Sequence, residues 1–425
     1  MPATPMADLP RDVDTVVIGA GPAGIAAASA AAAAGRDVWL IDEAARPGGQ
    51  IWRHRDPSTL PRVARRWIDR LDRSGARFRG GTTAFDIEPA PGDGVRLGID
   101  NAARDPARIT ARFVILATGA RERLVPFPGW TLPGVIGIGG AQALLKAGAR
   151  FEGQPVVIAG SGPLMLPVAA SLAKAGARVQ IVAEQAPAAR VIAFGVRLWR
   201  APARIADAMR YRAAFRRARW AWGTWVVRAD GDEAIERATL TNGRRTWDVP
   251  CTLLCTGYGL VGATELARLA GCDVRSGRVV VDAMQRTSVP GVFCAGEPTG
   301  VAGYDVALIE GEVAGLASAG REEDAARLAT KRARLARIVE HMDTAFRLRN
   351  ELRGLAEPDT ILCRCEDVPR SDLDAAWTPR QAKLYTRIGM GPCQGRVCGP
   401  ALELLFGWES ARVRAPVLPV STRAL

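Results

Sequence analysis

A glycine-spaced turn near the start of the chain is the feature that most constrains its fold. The turn has the spacing G-x-G-x-x-G, and its glycines are Gly19, Gly21 and Gly24. A buried strand is predicted over 14–18, a helix over 25–34 and a second strand over 38–41. The sequence therefore predicts a βαβ unit that binds a dinucleotide at the N-terminus of its helix.

Each position of this FAD-type turn has a physical role. Gly19 permits the tight turn, Gly21 lets the backbone reach a pyrophosphate, and Gly24 lets the helix pack on the strand. Asp42 follows the second strand, where it is placed to accept hydrogen bonds from ribose hydroxyls. The other residues predicted to contact the cofactor here are Pro22, Ala23 and Glu43. A glycine turn without a ligand is the alternative, which this context disfavours.

A similar unit recurs later, with strands predicted over 155–159 and 179–183 and a helix over 164–175. Its fingerprint is partial, because Met165 stands where the third glycine would be. The residues predicted for this second nucleotide site are Gly160, Gly162 and Glu184, and the acidic residue favours a ribose without a 2′-phosphate. Two alternatives stay open: a working site for NAD(H) or another adenine nucleotide, or a vestigial domain.

The chain of 425 residues suits two to four domains. Strand-and-turn segments at 113–120 and 252–257 flank the second unit, which predicts one nucleotide domain inserted into another. The first domain is predicted to resume at 291–297, and a helix is predicted over 304–319. The predicted divisions are 1–120 and 256–325 for the two parts of the FAD-binding domain, 121–255 for the inserted NAD-type domain, 326–357 for a connecting helix and 358–425 for a cluster domain.

Four of the eight cysteines lie close to the C-terminus. They form a C-x-C pair and a C-x4-C pair, and they are Cys363, Cys365, Cys393 and Cys398. Thiolates from two short loops suit an iron–sulfur cluster or zinc, and buried cysteines without a ligand are the third alternative. A C-x-C pair is unusual for zinc, so the spacing favours iron. The other cysteines are predicted to pack in the core, and they are Cys251, Cys255, Cys272 and Cys294.

Arginine accounts for most of the formal net charge of +13, which we attribute to codon bias and not to nucleic-acid binding. The basic stretch 190–222 contains tryptophans and is predicted to be helical. It is interpreted as a solvated face, with docking of an acidic partner as the alternative. Residues 1–11 lack the pattern of a signal peptide, and no apolar stretch is long enough for an integral membrane segment. We expect a cytoplasmic protein without disulfides, and peripheral attachment to the inner face of the membrane stays open.

Neither histidine supports a catalytic assignment. His54 and His341 are far apart in the sequence, and neither lies in a recognisable catalytic pattern. His54 lies near the predicted flavin loop, but a solvated or structural role is favoured over proton donation. The catalytic acid and base therefore stay unassigned.

In their order along the chain, these motifs resemble the FAD-binding alpha subunit of the opine oxidase, D-hydroxyproline dehydrogenase and hydrogen cyanide synthase family. The segments that carry the resemblance are 19–24, 47–51, 117–120, 160–164, 295–297, 363–366 and 389–396. The cysteine-rich part resembles the small helical 2Fe-2S module of bacterioferritin-associated ferredoxin. The resemblance implies an α/β fold with two nested Rossmann-like dinucleotide-binding domains of the two-domain flavoprotein type and a small C-terminal helical iron–sulfur domain.

The resemblance also implies further FAD contacts, namely Gly49, Gln50, Thr118, Gly119, Gly296 and Glu297. The loop 46–53 is similar to the glycine-pair loop that runs beside the isoalloxazine in two-domain flavin disulfide reductases. Those enzymes have a redox cysteine pair near the flavin, but no cysteine precedes Cys251 here, which excludes dithiol chemistry at that position. Relatives often have aspartate where this chain has Glu297, so we expect a longer or water-mediated contact with the ribityl chain.

The family resemblance implies an electron-transfer subunit with FAD and a 2Fe-2S cluster. The enzyme would be a hetero-oligomer that oxidises an amino acid, an imino acid such as proline or hydroxyproline, or an opine. Its partners would be a second flavoprotein subunit with the substrate site and a small 2Fe-2S ferredoxin-like subunit. Two alternatives stay open: a stand-alone NAD(P)H-dependent reductase of a ferredoxin or dye, and a regulatory flavoprotein that senses redox state or iron.

Overall fold

The computed structural model describes residues 10–90, 92, 94–101, 104–200, 202–409 and 413–424. The predicted absence of a signal peptide falls mostly on 1–9, outside these residues, and the side chain of Arg200 in the basic stretch is also outside them. The chain forms two compact units. Unit 1 comprises residues 1–121, 261–337 and 412–425, and unit 2 comprises residues 122–260 and 338–411.

The strands of the described chain, in sequence order, are β1 (Asp12–Ile18), β2 (Val38–Ile41), β3 (Arg77–Arg79), β4 (Thr82–Ala90), β5 (Gly94–Asn101), β6 (Arg104–Leu116), β7 (Ala120–Glu122), β8 (Val135–Gly137), β9 (Pro155–Gly160), β10 (Arg178–Glu184), β11 (Arg219–Trp222), β12 (Trp225–Asp230), β13 (Arg237–Thr241), β14 (Thr246–Pro250), β15 (Leu253–Gly257), β16 (Leu260–Gly262), β17 (Val274–Arg275), β18 (Arg278–Val279), β19 (Val292–Cys294), β20 (Ile361–Cys363) and β21 (Val368–Pro369).

The α-helices of the same residues are α1 (Pro22–Ala33), α2 (Arg62–Ser74), α3 (Ile138–Lys146), α4 (Met165–Lys174), α5 (Ala188–Arg197), α6 (Pro202–Ala214), α7 (Glu265–Leu269), α8 (Tyr304–Ser318), α9 (Glu322–Ala345), α10 (Pro379–Thr386) and α11 (Gly399–Phe406). In the part of the chain that the structure describes, none of these helices has both the length and the apolar content needed to cross a membrane.

Unit 1 is built on a seven-stranded sheet with the order β3-β2-β1-β6-β5-β4, in which β19 also pairs with β6. Strand β1 lies between β2 and β6 and pairs with both in parallel. Strand β6 pairs with three strands, since besides β1 its first part pairs antiparallel with β5 and its last residues pair parallel with β19. Strand β19, far along the chain from β6, thus joins the same sheet.

Helices α1 and α8 of unit 1 pack with almost no side chain between them. A Cβ atom built at Gly311 would lie 2.1 Å from the carbonyl oxygen of Ala23, and one at Gly315 would lie 2.3 Å from that of Ala27. These distances are too short for any side chain, so both glycines are needed for the close approach. The alanine-rich composition of α1 follows, because this helix is buried along nearly its whole length.

Unit 2 contains a five-stranded parallel sheet with the order β11-β10-β9-β15-β8 and an antiparallel sheet with the order β12-β13-β14. The cysteine-bearing segment lies in this unit, where the indole Nε1 of Trp130 donates to the carbonyl of Ile361 at 2.6 Å. The described end of the chain returns to unit 1, since the backbone N–H of Val417 donates to Phe85 at 3.0 Å. The division predicted at 358–425 thus covers residues from both units.

The basic stretch 190–222 differs from its predicted helical form. It contains α5 and α6, but it ends in β11, which pairs in parallel with β10 at the edge of the sheet. Ala221 of this strand is buried. Pairing with β10 and burial of one face explain why this segment forms a strand. The many arginines around it hide this pattern in the sequence.

The substitution Gly315→Ala tests the close contact between α1 and α8. The added methyl group would overlap the backbone of α1, so we expect a loss of about 1–3 kcal/mol of stability and a lower midpoint of thermal unfolding by circular dichroism. Gly195→Ala is the matched control, because Gly195 lies in α5 with nothing near its Cβ position. The control should raise stability by about 0.5–1 kcal/mol. Equal effects of the two changes would contradict the packing described.

Candidate functional site

The first glycine turn has a shape that only glycine allows. Gly19 has a φ of +103°, and a Cβ atom there would lie 2.3 Å from the carbonyl oxygen of Ala117. A Cβ atom at Gly24 would lie 1.7 Å from the carbonyl oxygen of Gly19. Helix α1 begins at Pro22, directly after Gly21. Its first turn therefore presents backbone N–H groups and the positive end of the helix dipole to an anion.

Asp42 lies at the end of β2 beside this turn. One of its carboxylate oxygens accepts from the backbone N–H of Ala20 at 2.6 Å, and the other accepts from Ala44 at 2.7 Å. Burial raises the pKa of Asp42, although both hydrogen bonds act in the opposite direction. A carboxylate has about four acceptor positions, so two remain for the hydroxyls of a ribose.

Three predicted segments meet the glycine turn within unit 1. A Cβ atom at Gly49 would lie 2.8 Å from the Cα of Gly21, and one at Gly296 would lie 2.8 Å from the Cβ of Ala23. The hydroxyl of Thr118 donates to the carbonyl of Ala263 at 2.6 Å, and the backbone N–H of Ala263 donates to Gly119 at 2.9 Å. Of the remaining predicted FAD contacts, Glu43 and Gln50 are exposed.

Glu310 is a structural residue of this site that the sequence analysis missed. Its side chain is 2% exposed and accepts from the backbone N–H of Gly296 at 2.9 Å and from the hydroxyl of Thr299 at 2.9 Å. The guanidinium of Arg332 donates to its other oxygen at 2.8 Å. Glu310 therefore fixes the turn at Gly296. Helix α8 also contains Asp305 and Glu312, so no local signal in the sequence distinguishes Glu310.

Glu297 has a buried oxygen that the described protein does not satisfy. One carboxylate oxygen accepts from the backbone N–H of Gly303 at 3.1 Å. The other is buried and has no hydrogen-bond partner among the described residues. Burial raises the pKa of Glu297 to about 7, and the nearby charge of Glu310 also raises it. A buried acceptor of this kind fits a hydroxyl of the bound cofactor.

The second glycine turn has a different shape. Helix α4 begins at Met165, three residues beyond Gly162, and the side chain of Met165 is buried. Glu184 ends β10 but is only 2% exposed, and it accepts from Gly162 at 2.7 Å, Ala186 at 2.8 Å and Ser161 at 3.0 Å. Burial raises its pKa to about 7 despite these hydrogen bonds. The predicted residues are therefore adjacent, but the carboxylate is enclosed by protein.

The C-terminal cysteines are brought together in two pairs. The thiol groups of Cys363 and Cys398 form one hydrogen bond, and those of Cys365 and Cys393 form another. The hydrogen bond from Cys398 lowers the pKa of Cys363 to about 5, while the same contact raises the pKa of Cys398. Within the described residues, no three histidine, cysteine, aspartate or glutamate side chains converge as ligands of one metal ion.

The remaining cysteines are buried, as predicted, and they are Cys251, Cys255, Cys272 and Cys294. Burial raises the pKa of each thiol, so none is activated as a nucleophile. The Nδ1 atom of His54 lies 2.9 Å from the carbonyl oxygen of Trp52, and the Trp52 ring packs near Tyr304 at a centroid distance of 6.0 Å. This contact supports a structural role for His54.

Comparison with known proteins gives consistent matches. Residues 13–319 match the family model for pyridine nucleotide-disulphide oxidoreductases. The chain is similar to an opine oxidase subunit of Rhizobium meliloti, with 35% identity over 92% of each chain. It is also similar to hydrogen cyanide synthase subunit HcnB of Pseudomonas aeruginosa, with 32% identity over 94% of this chain and 92% of the relative. The fold resembles the crystal structure of L-proline dehydrogenase from P. horikoshii, with a TM-score of 0.67 and 20% identity. The match covers 97% of this chain and 79% of that chain.

The two nucleotide folds and the cradle at the start of α1 define a flavin-dependent oxidoreductase of the two-domain α/β type. The chain belongs to the pyridine nucleotide-disulphide oxidoreductase family, where its relatives include subunits of opine oxidase and of hydrogen cyanide synthase. FAD is the cofactor that this assignment supports. Three features fit this cofactor: the glycine turn 19–24 before α1, the carboxylate of Asp42 and the unsatisfied oxygen of Glu297.

Glu297→Gln tests the buried carboxylate through its pH dependence in the flavin-free chain. Because burial raises the folded-state pKa from 4.5 to about 7, stability is lost as the pH rises through this interval. Glutamine cannot ionise, so the variant should gain up to about 3 kcal/mol over the wild type near pH 8 and much less near pH 5. Thermal unfolding at the two pH values measures the difference. Glu43→Gln, at an exposed position, is the control, and a pH-independent effect of Glu297→Gln would refute the interpretation.

Proposed function

We propose that this chain is the electron-transfer subunit of a hetero-oligomeric dehydrogenase or oxidase, with FAD in unit 1 and a 2Fe-2S cluster at the cysteine pairs. The substrate would be an amino acid, an imino acid such as proline or hydroxyproline, or an opine. The observation that supports this most is the presence of a flavin cradle and two thiol pairs on one chain. Its relatives are named as subunits of an opine oxidase and a hydrogen cyanide synthase.

The spacing of the cysteines favours a two-iron cluster over zinc, because a C-x-C pair is unusual in zinc sites. A two-iron cluster takes two thiolates on each iron. Cys363 pairs with Cys398 and Cys365 pairs with Cys393, so each pair combines one residue from each loop. We assign these four cysteines as the cluster ligands.

In the proposed site, the chain positions its cofactors through its own residues. The N–H groups of the first turn of α1 would bind the pyrophosphate, and Asp42 would bind the ribose. Glu297 would accept from the ribityl chain, and Glu310 holds the turn on which Glu297 lies. When bound, FAD takes up two electrons at a time and the cluster passes on one at a time.

Substitution of the cluster ligands tests the cofactor assignment. Cys365→Ser and Cys393→Ser affect the less buried pair, so the fold should survive. We expect iron to fall from about two per chain to below one, with loss of the cluster absorption and retention of the flavin bands. Cys272→Ser, at a cysteine outside the pairs, should retain both cofactors. Unchanged iron in the ligand variants, or one zinc per wild-type chain, would contradict the assignment.

A surface of unit 2 supports the proposed partner subunits. Helix α5 has no buried residue, and its exposed large apolar side chains, Ile192 and Val196, lie on one face because they are four residues apart. Ile192 is 53% exposed and Val196 67% exposed, and Trp199, two residues beyond the end of α5, is 66% exposed. Arginines such as Arg190 and Arg197 accompany them. An apolar surface within a basic surround suits an acidic partner subunit.

Trp199→Asp tests this surface. Large aromatic residues dominate binding at interfaces, and the new charge would oppose an acidic partner, so the dissociation constant should rise at least about tenfold. The measurement is co-purification and sedimentation with the proposed companion subunits. Leu144→Asp is the control, since Leu144 is an exposed apolar residue of another helix of unit 2. Equal weakening by both variants, or by neither, would exclude the surface as the docking site.

The two alternative functions predict different experimental results. A stand-alone NAD(P)H-dependent reductase of a ferredoxin or dye is favoured by the second nucleotide fold, and NADH should then bleach its flavin without partners. A regulatory flavoprotein that senses redox state or iron is favoured by the C-terminal thiols. In that case the assembled enzyme should keep its turnover after Cys393→Ser.

A further inference from the structure

Residues 346–349, which follow α9, lie against the second glycine turn. The ring carbon Cγ of Phe346 is 4.0 Å from a Cβ atom built at Gly162. The hydroxyl oxygen of Ser161, in the middle of the turn, lies 3.1 Å from the carbonyl oxygen of Phe346, which shares the single hydroxyl proton with Glu184. Phe346 also packs edge-to-face on Phe194 of α5, with ring centroids 5.4 Å apart. The segment therefore covers the turn on which a pyrophosphate would lie.

The same segment is fixed at the end of β10. The side chain of Gln185 is fully buried, and its Nε2 donates to the carbonyl of Arg347 at 3.3 Å. Its Oε1 accepts from the backbone N–H of Arg349 at 3.1 Å. One buried amide thus binds a backbone acceptor and a backbone donor of the segment, much as a neighbouring strand would.

Side chains on both sides of this contact anchor the segment in unit 2. The guanidinium of Arg349 lies 3.7 Å from the centroid of the Trp225 ring. Leu352 is fully buried in the core formed by the parallel sheet, and Leu348 packs against that core. The segment is therefore built into the unit at several independent points.

These positions are those that a dinucleotide needs. In a βαβ nucleotide fold the pyrophosphate lies over the glycine turn, and the adenosine ribose lies at the acidic residue after the second strand. Residues 346–349 contact Ser161 in the turn and Gln185, the neighbour of that acidic residue. The acid itself, Glu184, accepts from three protein groups and is 2% exposed, which closes it to a ribose.

We propose that residues 346–349 permanently occupy the second nucleotide fold, so that this fold binds a segment of its own chain in place of NAD(H), NADP(H) or another adenine nucleotide. The fold then serves as the anchor for the polypeptide that leads to the cysteine pairs. It follows that electrons do not enter this chain from a pyridine nucleotide at that site. The inference is independent of the proposed function, because it concerns contacts within unit 2 and no cofactor chemistry.

Hydrogen–deuterium exchange of the full-length chain tests this occupancy. The amides of 346–349 should be protected in the wild type. Phe346→Ala and Gln185→Ala should each speed their exchange at least about tenfold, because each removes a contact that closes the segment on the turn. Gln180→Ala is the matched control. Gln180 lies in β10, the strand that ends directly before Gln185, and its side-chain amide donates to the carbonyl of Pro250. Rapid exchange in the wild type, or no change in either variant, would overturn the proposal.

Added nucleotides test whether residues 346–349 occupy the fold permanently or can be displaced by a ligand. NADH, NADPH and ADP-ribose, each at about 1 mM, should leave the exchange of 346–349 unchanged in the wild type and should show no binding by calorimetry. Binding of any of these with faster exchange in the segment would overturn the proposal. Failure here would leave iron and flavin content untouched, so it is distinguishable from failure of the proposed function.

Discussion

Backbone-to-backbone contact around the first turn of α1 is the constraint on which unit 1 depends. The turn closes on itself through Gly24 and on β6 through Gly19, and α8 approaches the other face through Gly311 and Gly315. These contacts leave no room for side chains, so α1 consists almost wholly of small residues. The same packing that forms the core therefore exposes the helix N-terminus as a site for a dinucleotide. The same residues thus form the core of unit 1 and the dinucleotide site.

The second nucleotide fold shows what happens when that constraint is relaxed. Met165 replaces the glycine that closes the first turn, and α4 begins later than α1 does relative to its own glycines. Asp42 accepts two backbone N–H groups and keeps acceptor positions for a ligand. Glu184 accepts from two backbone N–H groups and from the hydroxyl of Ser161, and it is buried. Two copies of one supersecondary unit thus present different surfaces, one suited to FAD and the other in contact with the chain itself.

Much of this architecture could be predicted from the sequence, because its signals are local. The strand at Val38–Ile41 and the helix from Tyr304 were placed correctly from apolar runs and flanking glycines, and the family was recognised from the order of the motifs. Features that depend on distant partners were missed. The contact of Gln185 with Arg349 joins residues 164 positions apart, and neither residue type carries a local pattern that would reveal it. Strand β11 was missed for a similar reason, because its sheet neighbour and not its composition decides its structure.

We propose that the chain relays electrons from a substrate-oxidising partner through FAD and the thiol-ligated cluster. Anaerobic reduction of the assembled enzyme, followed by visible absorption and electron paramagnetic resonance, tests it most directly. An amino acid, imino acid or opine substrate should bleach the flavin and produce the signal of a reduced 2Fe-2S cluster, whereas NADH should produce neither in the isolated chain. Rapid reduction of the isolated chain by NADH, or an assembled enzyme that turns over with its cluster never reduced, would contradict the account.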